Sequence, residues 1–340
     1  MKVFIYSEFQ SKIEKSGIGR ALHHQKRALS LVGIELVQRK EEADVIHINT
    51  VFPHSFLLAH WARQHHVPLV YHAHSTKEDF KNSYIGSNLL ADNFLAWLKL
   101  CYSQGTVIIT PTPYSAQLIQ SYHIHRPIEV ISNGIDLNYY HSLSGDNEVF
   151  RQHYGYSKED KVIMSAGAWI QRKGILDFIH LARLFPQYKF IWFGESSLNA
   201  IPKEIRYELK HCPNNLTLAG YVCQDHLRQA YASCDIFLFP SYEETEGIVV
   251  LEALAMKIPV LLRDIPVYHP WLENHIHCYK AKSLEEFERI IPLILDNTLP
   301  DLTTNGYAIA EERDLKQIGH QLVTVYEKAI QLTNKEVEVS

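Results

Sequence analysis

The segment "IFLFPSYEETEGIVVLEALA", Ile236 to Ala255, carries the pattern that decides the fold. Four apolar residues, Ile236 to Phe239, stop at Pro240; a polar, acidic stretch follows, and Gly247 precedes an apolar run that starts at Ile248. This order reads as a buried strand, a loop and a buried helix, the repeating unit of a parallel α/β sheet. Glu244 precedes the helix, where the positive end of the helix dipole favours a carboxylate. Glu252 lies inside it, apolar on every side, and burying it without donors costs several kcal/mol. An ionised carboxylate accepts from both hydroxyls of a vicinal diol, so a ligand diol fits Glu252; an internal arginine or backbone amide fits as well.

Outward from this unit, the same alternation recurs. Strands are expected at Val3 to Tyr6, Val45 to Ile48, Leu69 to His74, Val107 to Thr110 and Ile128 to Ile131. After the turn-rich Ser132 to Glu148 they resume at Val162 to Ala166, Phe190 to Phe193, Leu216 to Leu218, Ile236 to Phe239 and Val260 to Leu262. The sequence thus divides into an N-terminal Rossmann-like domain, 1–140, and a second one, 141–310. Gly306 to Leu332 reads as one long helical pattern, so that 311–340 is expected to form a helix crossing back to the first domain. Two doubly wound domains are expected to hold a ligand outside the carboxyl ends of their strands.

Composition narrows the function. Residues 1 to 140 carry 13 Lys+Arg against 11 Asp+Glu, and the remainder 20 against 27, so the N-terminal half is the more positive one. Neither half has the basic stripe that nucleic acid demands. The five cysteines include no Cys-x-x-Cys pair, which argues for reduced packing residues rather than a disulfide framework or a zinc cage. No apolar run is long enough to span a bilayer and the N-terminus lacks signal-peptide architecture, so a cytoplasmic location is expected.

Four further stretches can carry chemistry. In "SGIGR", Gly17 and Gly19 allow backbone amides at a helix start to approach an anion or a sugar, although a plain strand-to-helix turn looks the same. It lacks the third glycine and the acidic residue of a dinucleotide fingerprint. In "GAWIQRKG", Arg172 and Lys173 at a helix start oppose the dipole, which suits a diphosphate held between them; a solvated pair is the alternative. In "YHAHSTKEDF", His72 and His74 share a strand face; His72 is expected as a satisfied core histidine and His74 as a hydrogen-bonder to a polar substrate. "HSFLLAHWARQHH" makes a helix that suits either the α/β layer or a membrane surface.

Taken together, "ISNGID", Arg172-Lys173-Gly174, "FGE", "AGYV" and Glu244 followed by Glu252 resemble the retaining GT-B glycosyltransferases of family GT4 over nearly the whole chain. The resemblance implies two Rossmann-like domains facing a cleft, a UDP-hexose donor and no metal or other cofactor; the lack of an Asp-x-Asp motif at a strand end agrees. "KSGIGRALHHQ", "HAHSTKEDFKNSYIGSNLL", "IITPTPYS" and "LRDIPVYHPWL" are similar, more narrowly, to Gram-positive α-galactosyl-(1→2)-glucosyl-diacylglycerol synthases, which act in membrane glycolipid and lipoteichoic acid anchor synthesis. By that resemblance Arg172 and Lys173 neutralise the departing diphosphate, Glu244 binds the hexose and Glu252 the ribose. Tyr221 and Val222 lie near the uracil, and Ile248 and Val249 offer amides to the diphosphate. Gly17 and Gly19 close the cleft from the other domain, and His74 touches the transferred sugar. Front-face attack, with the departing phosphate as base, retains configuration.

Three positions depart from the family pattern: Ala168 replaces a common Arg, Glu246 a usual Phe, and Lys257 the Gly that ends the helix, which implies a different cap. The implied reaction is transfer of galactose to glucosyl-diacylglycerol by an enzyme peripheral on the inner membrane face. An anionic membrane surface would be met through the Ser55 to His66 and Leu89 to Ser103 helices. A glucose donor, a soluble or polysaccharide acceptor, and a non-catalytic sugar-nucleotide-binding partner protein are the alternatives.

Overall fold

A computed structural model describes residues 1–339. The chain forms two compact units. The first comprises Met1–Glu78, Leu89–Asp136 and the chain from Arg313 on; the second comprises Asp79–Asn88 and Leu137–Glu312.

The first unit holds β1 (Lys2–Tyr6), β2 (Glu35–Leu36), β3 (Val45–Ile48), β4 (Leu69–His72), β5 (Val107–Thr110) and β6 (Ile128–Val130), in the order β2-β1-β3-β4-β5-β6. The second holds β7 (Val162–Ala166), β8 (Lys189–Phe193), β9 (Leu216–Gly220), β10 (Ile236–Phe239), β11 (Val260–Arg263) and β12 (Tyr279–Ala281), in the order β12-β11-β10-β7-β8-β9. Every strand pair is parallel. Both faces of such a sheet are covered by helices, so β3, β5, β7, β10 and β11 are buried along their whole length and read as mostly apolar runs, β10 without a break.

The first core is closed from the far end of the sequence. Leu315, Ile318, Leu322, Val325, Tyr326 and Ala329 recur at helical spacing along Leu315–Val339 and pack with Val3, Val45, Val70, Val107 and Ile109.

The structure corrects several expectations. The helical pattern from Gly306 is broken: Thr303–Glu311 belongs to the second unit and Leu315–Val339 to the first. At the break, Ile135 N–H donates to the Arg313 carbonyl at 2.9 Å and Leu315 N–H to the Ile135 carbonyl at 3.2 Å. Residues Asp79–Asn88, read as part of the first domain, belong to the second unit. The edge strands β2 and β12 were not foreseen. Cys223 is exposed rather than packed.

Candidate functional site

In the second unit the chain leaves β7 to build β8 and β9 on one side and returns to the other side for β10. Loops leaving neighbouring strands diverge at such a reversal, and a crevice opens outside the carboxyl ends. The two loops concerned, Gly167–Gly174 after β7 and Pro240–Gly247 after β10, contain Arg172, Lys173 and Glu244.

Backbone contacts tie the loops together. Tyr242 N–H donates to the Arg172 carbonyl at 2.7 Å, and Ser241 Oγ to the same carbonyl at 3.1 Å. Gly174 has φ +75°, and a Cβ there would lie 2.3 Å from the Pro240 carbonyl oxygen, so only glycine allows this approach. Arg263 braces the other side: its Nε donates to the Pro240 carbonyl at 3.0 Å, and its Nη2 lies 2.5 Å from Asp177, which also accepts from Tyr242.

This frame builds a buried ionic cluster. Lys173 Nζ lies 2.5 Å from Glu244 Oε1, Ser241 Oγ donates to the same oxygen at 2.7 Å, and Arg172 Nη1 is 3.8 Å away. Arg172 also donates from Nη1 to the Glu243 carbonyl at 2.7 Å and from Nε to Ser83 Oγ at 3.1 Å. Its N–H donates to the Asn82 carbonyl at 3.2 Å. The Glu244 side chain is 7% exposed and that of Lys173 16%. Burial pushes the Glu244 carboxyl up, but the Lys173 and Arg172 charges outweigh it and hold the group below its ordinary range. Burial dominates at Lys173 and lowers its ammonium, the Glu244 carboxylate offsetting only part, with Arg172 adding like-charge repulsion. Two cations share one carboxylate here, with Asp79 acting on Lys173 as a further counter-charge, an arrangement able to take up an anion.

The helix Ile248–Ala255 starts from Gly247 in the left-handed region, with the Ile248 and Val249 residues half-buried in its first turn. The buried Tyr268 hydroxyl, which has no hydrogen-bond partner among the described residues, lies against Gly247. Glu252, 1% exposed, is held by tyrosines: Tyr140 OH donates to Oε1 at 2.6 Å and Tyr231 OH to Oε2 at 3.0 Å. These donors come from other elements and sequence reasoning missed them. Glu246 is also buried. Tyr221 follows Gly220 at the end of β9 and is 44% exposed, with Val222 half-buried beside it. Lys257 keeps the left-handed conformation of the glycine it replaces, φ 55°, and sets its ammonium 4.0 Å over the Tyr307 ring.

In the first unit, Ser16 caps the helix Gly17–Leu31 by accepting from Gly19 N–H at 3.3 Å. A Cβ on Gly19 would lie 2.3 Å from the Ile13 carbonyl oxygen, whereas Gly17 faces open space. His74 is buried, 2.9 Å from Asn49 Oδ1 through Nε2, and stacks on His72 at 3.9 Å between centroids. His72 is not the satisfied core histidine expected of it: neither ring nitrogen has a partner among the described residues.

Known proteins resemble this chain in architecture and in sequence. The family model described as Glycosyltransferase Family 4 matches residues 16–139, and that described as Glycosyl transferases group 1 matches residues 146–310. The processive diacylglycerol alpha-glucosyltransferase of Acholeplasma laidlawii is 41% identical over 334 residues, 98% of this chain and 99% of that one. The alpha-galactosylglucosyldiacylglycerol synthase of Streptococcus pneumoniae is 31% identical over 215 residues, 61% of this chain and 57% of that one. Among solved structures, Anabaena HepE in complex with UDP-glucose superposes with a TM-score of 0.78 at 20% identity, covering 96% of this chain and 100% of that one. WaaG, involved in lipopolysaccharide biosynthesis, does so with a TM-score of 0.68 at 15% identity, covering 96% and 99%. With its two Rossmann-like units, its cationic pair beside Glu244 at the strand-order reversal and these relatives, the chain belongs to the GT4 glycosyltransferases of GT-B fold.

Proposed function

We propose that the protein transfers a hexose from a UDP-sugar to a glucosyl-diacylglycerol acceptor at a membrane surface, with retention and without a metal. The observation that carries this reading is the 41% identity, over nearly the whole of both chains, to a diacylglycerol glucosyltransferase. That relative's name favours glucose as the transferred hexose. The likeness to the galactosyl-lipid synthase supports UDP-galactose as a second reading.

In this proposal Arg172 and Lys173 take the charge that develops on the departing diphosphate, a term that is large in a water-poor site. The amides of Ile248 and Val249 add to it at the helix N-terminus. Glu244, already oriented by Lys173 and Ser241, accepts from hexose hydroxyls. Glu252 turns its remaining acceptor capacity to the ribose, with Tyr221 and Val222 beside the uracil. Gly17, Gly19 and His74 are assigned to sugar contacts.

The leaving phosphate oxygen accepts the proton of the attacking acceptor hydroxyl, so no side-chain nucleophile is needed. Peripheral membrane contact is supported by the helix Ser87–Tyr102, where Leu89 is 85% exposed and Leu100 53%, and by the 59% exposed Leu57 on Pro53–Gln64. No helix among the described residues is long and apolar enough to cross a membrane.

Incubating purified protein with glucosyl-diacylglycerol and UDP-glucose or UDP-galactose, then identifying the lipid product and its anomeric configuration, tests the reading. A diglucosyl lipid with α configuration is expected, including in chelator; a galactosyl product reverses the donor assignment, and an inverted anomer or no lipid product sinks the mechanism or the acceptor.

A further inference from the structure

The second unit carries a surface that the donor chemistry does not use. Residues Asn82–Asn88 form a loop closed by a reciprocal clamp, Asn82 N–H to Asn88 Oδ1 and Asn88 Nδ2 to Asn82 Oδ1, each at 2.9 Å. The Arg172 contacts fix its base, and Ile85 N–H donates to the Ala200 carbonyl at 3.2 Å. The tip so held is apolar and open to solvent: Tyr84 is 50% exposed and Ile85 62%. Exposed apolar side chains on a braced loop mark a contact surface rather than a packing failure.

Against this loop lies the helix Lys203–Lys210, and between them is a shallow cavity of about 460 Å³ lined by the loop, Gln171, Pro202, Lys203 and Arg206. The helix buries Ile205 and turns outward Lys203, Arg206, Tyr207 and Lys210, which share one face by their spacing; Tyr207 is 61% exposed. None of the cationic groups of Lys81, Lys203, Arg206 and Lys210 has a hydrogen-bond or ion-pair partner among the described residues. The carboxylates on the helix are Glu204 and Glu208, and Arg183 neutralises Glu208 at 2.5 Å.

The geometry points to this surface as a docking site for an anionic lipid bilayer, with a phospholipid headgroup phosphate in the cavity at Lys203 and Arg206. Unpaired cations beside a rigid Tyr-Ile tip match the layering of a membrane interface, where negative charge lies a few ångströms above apolar chains and tyrosine rests between them. The loop runs on into the helix Ser87–Tyr102, whose first two residues line the cavity and whose Leu89 is 85% exposed. The docking site rests on the reading of the chain as a membrane-lipid transferase.

Sedimentation of the full chain with phosphatidylcholine vesicles, with and without phosphatidylglycerol, tests it. Binding should require phosphatidylglycerol and weaken with salt. The Lys203→Ala/Arg206→Ala variant should bind about 25-fold more weakly, at about fivefold per cation removed. Arg206→Lys should bind like wild type, and Ile85→Ser should lose affinity while keeping the salt dependence. Unchanged melting and UDP affinity establish that each variant is folded. A folded double variant that binds within twofold of wild type, or wild-type binding indifferent to phosphatidylglycerol, overturns the site. Transfer to glucosyl-diacylglycerol in neutral detergent micelles should be equal in all variants; its absence from all of them counts against the acceptor reading and leaves the surface standing.

Discussion

In the first unit a buried network of neutral side chains runs from β3 to the end of β4. His47 Nδ1 lies 2.7 Å from Tyr326 OH, Gln25 Nε2 2.9 Å from His47 Nε2, and Asn49 bridges Gln25 and His74. Burial pushes the imidazoles of His47 and His74 down to about 3, and that of His24 as well. In the second unit the corresponding region is ionic, with Lys173 and Arg172 around Glu244 and Arg263 on Asp177. The neutral network pairs His47, Gln25, Asn49 and His74 with one another and leaves the His72 ring nitrogens unpartnered among the described residues, whereas the ionic cluster gathers two cations at Glu244, where an anion can be held. The contrast separates a region that holds shape from one equipped for an anion.

The most severe way to break the contrast is Lys173→Ala. It leaves Glu244 buried with a weaker counter-charge, and unfolding free energy should fall by about 3 kcal/mol. Transfer should fall on the order of a thousandfold. Retention of transfer within tenfold would remove the lysine from the reaction.

Acid comes next. His24, His47 and His74 have folded pKa values below the ordinary 6.5, so their contribution is intact above pH 6.5 and is lost as pH falls from there toward about 3. Relative to pH 7.5, pH 5.5 should cost the first unit on the order of 4 kcal/mol. Glu244, also lowered, gives up its share only as pH falls below its ordinary 4.5. Protection against hydrogen exchange, taken relative to the slower intrinsic rate at pH 5.5, should therefore fall in β3 and β4 and persist in β10; an equal fall in both would erase the distinction.

Gly174→Ala should cost about 2 kcal/mol through its positive φ and the Pro240 carbonyl. It should lower turnover more than UDP affinity, because it displaces the loop that carries Arg172 and Lys173. Smallest are Tyr140→Phe and Tyr231→Phe, each costing about 1 kcal/mol in a urea titration. Glu252→Gln should weaken UDP binding while Glu244→Gln lowers turnover; equal loss of melting temperature in both, with UDP affinity intact, would make Glu252 purely structural.

The sequence made the central strands plain, since strands buried on both faces are continuous apolar runs such as Ile236–Phe239. It hid β2 and β12, short edge strands that lack a β-branched run, while β6, equally short and at an edge, showed through its Ile128 and Val130. It showed that Glu252 needed donors but not which ones, because Tyr140 and Tyr231 reach it only through tertiary folding. Arg263 and Ser83, which position the loops around Arg172, carried no local signal for the same reason. The assignment of Asp79–Asn88 to the second unit was equally out of reach, because a loop's allegiance is set by what it packs on.

The C-terminal helix bears on how the molecule is made. Leu322, Val325 and Tyr326 complete the core begun by Val3 and Val45, yet they leave the ribosome only after the entire second unit has been synthesised. The second unit can close while the first sheet still shows an uncovered apolar face, so the order of completion runs opposite to the order of synthesis. A chain interrupted at Glu312 keeps the Lys173–Glu244 pair and loses the cover of the first core.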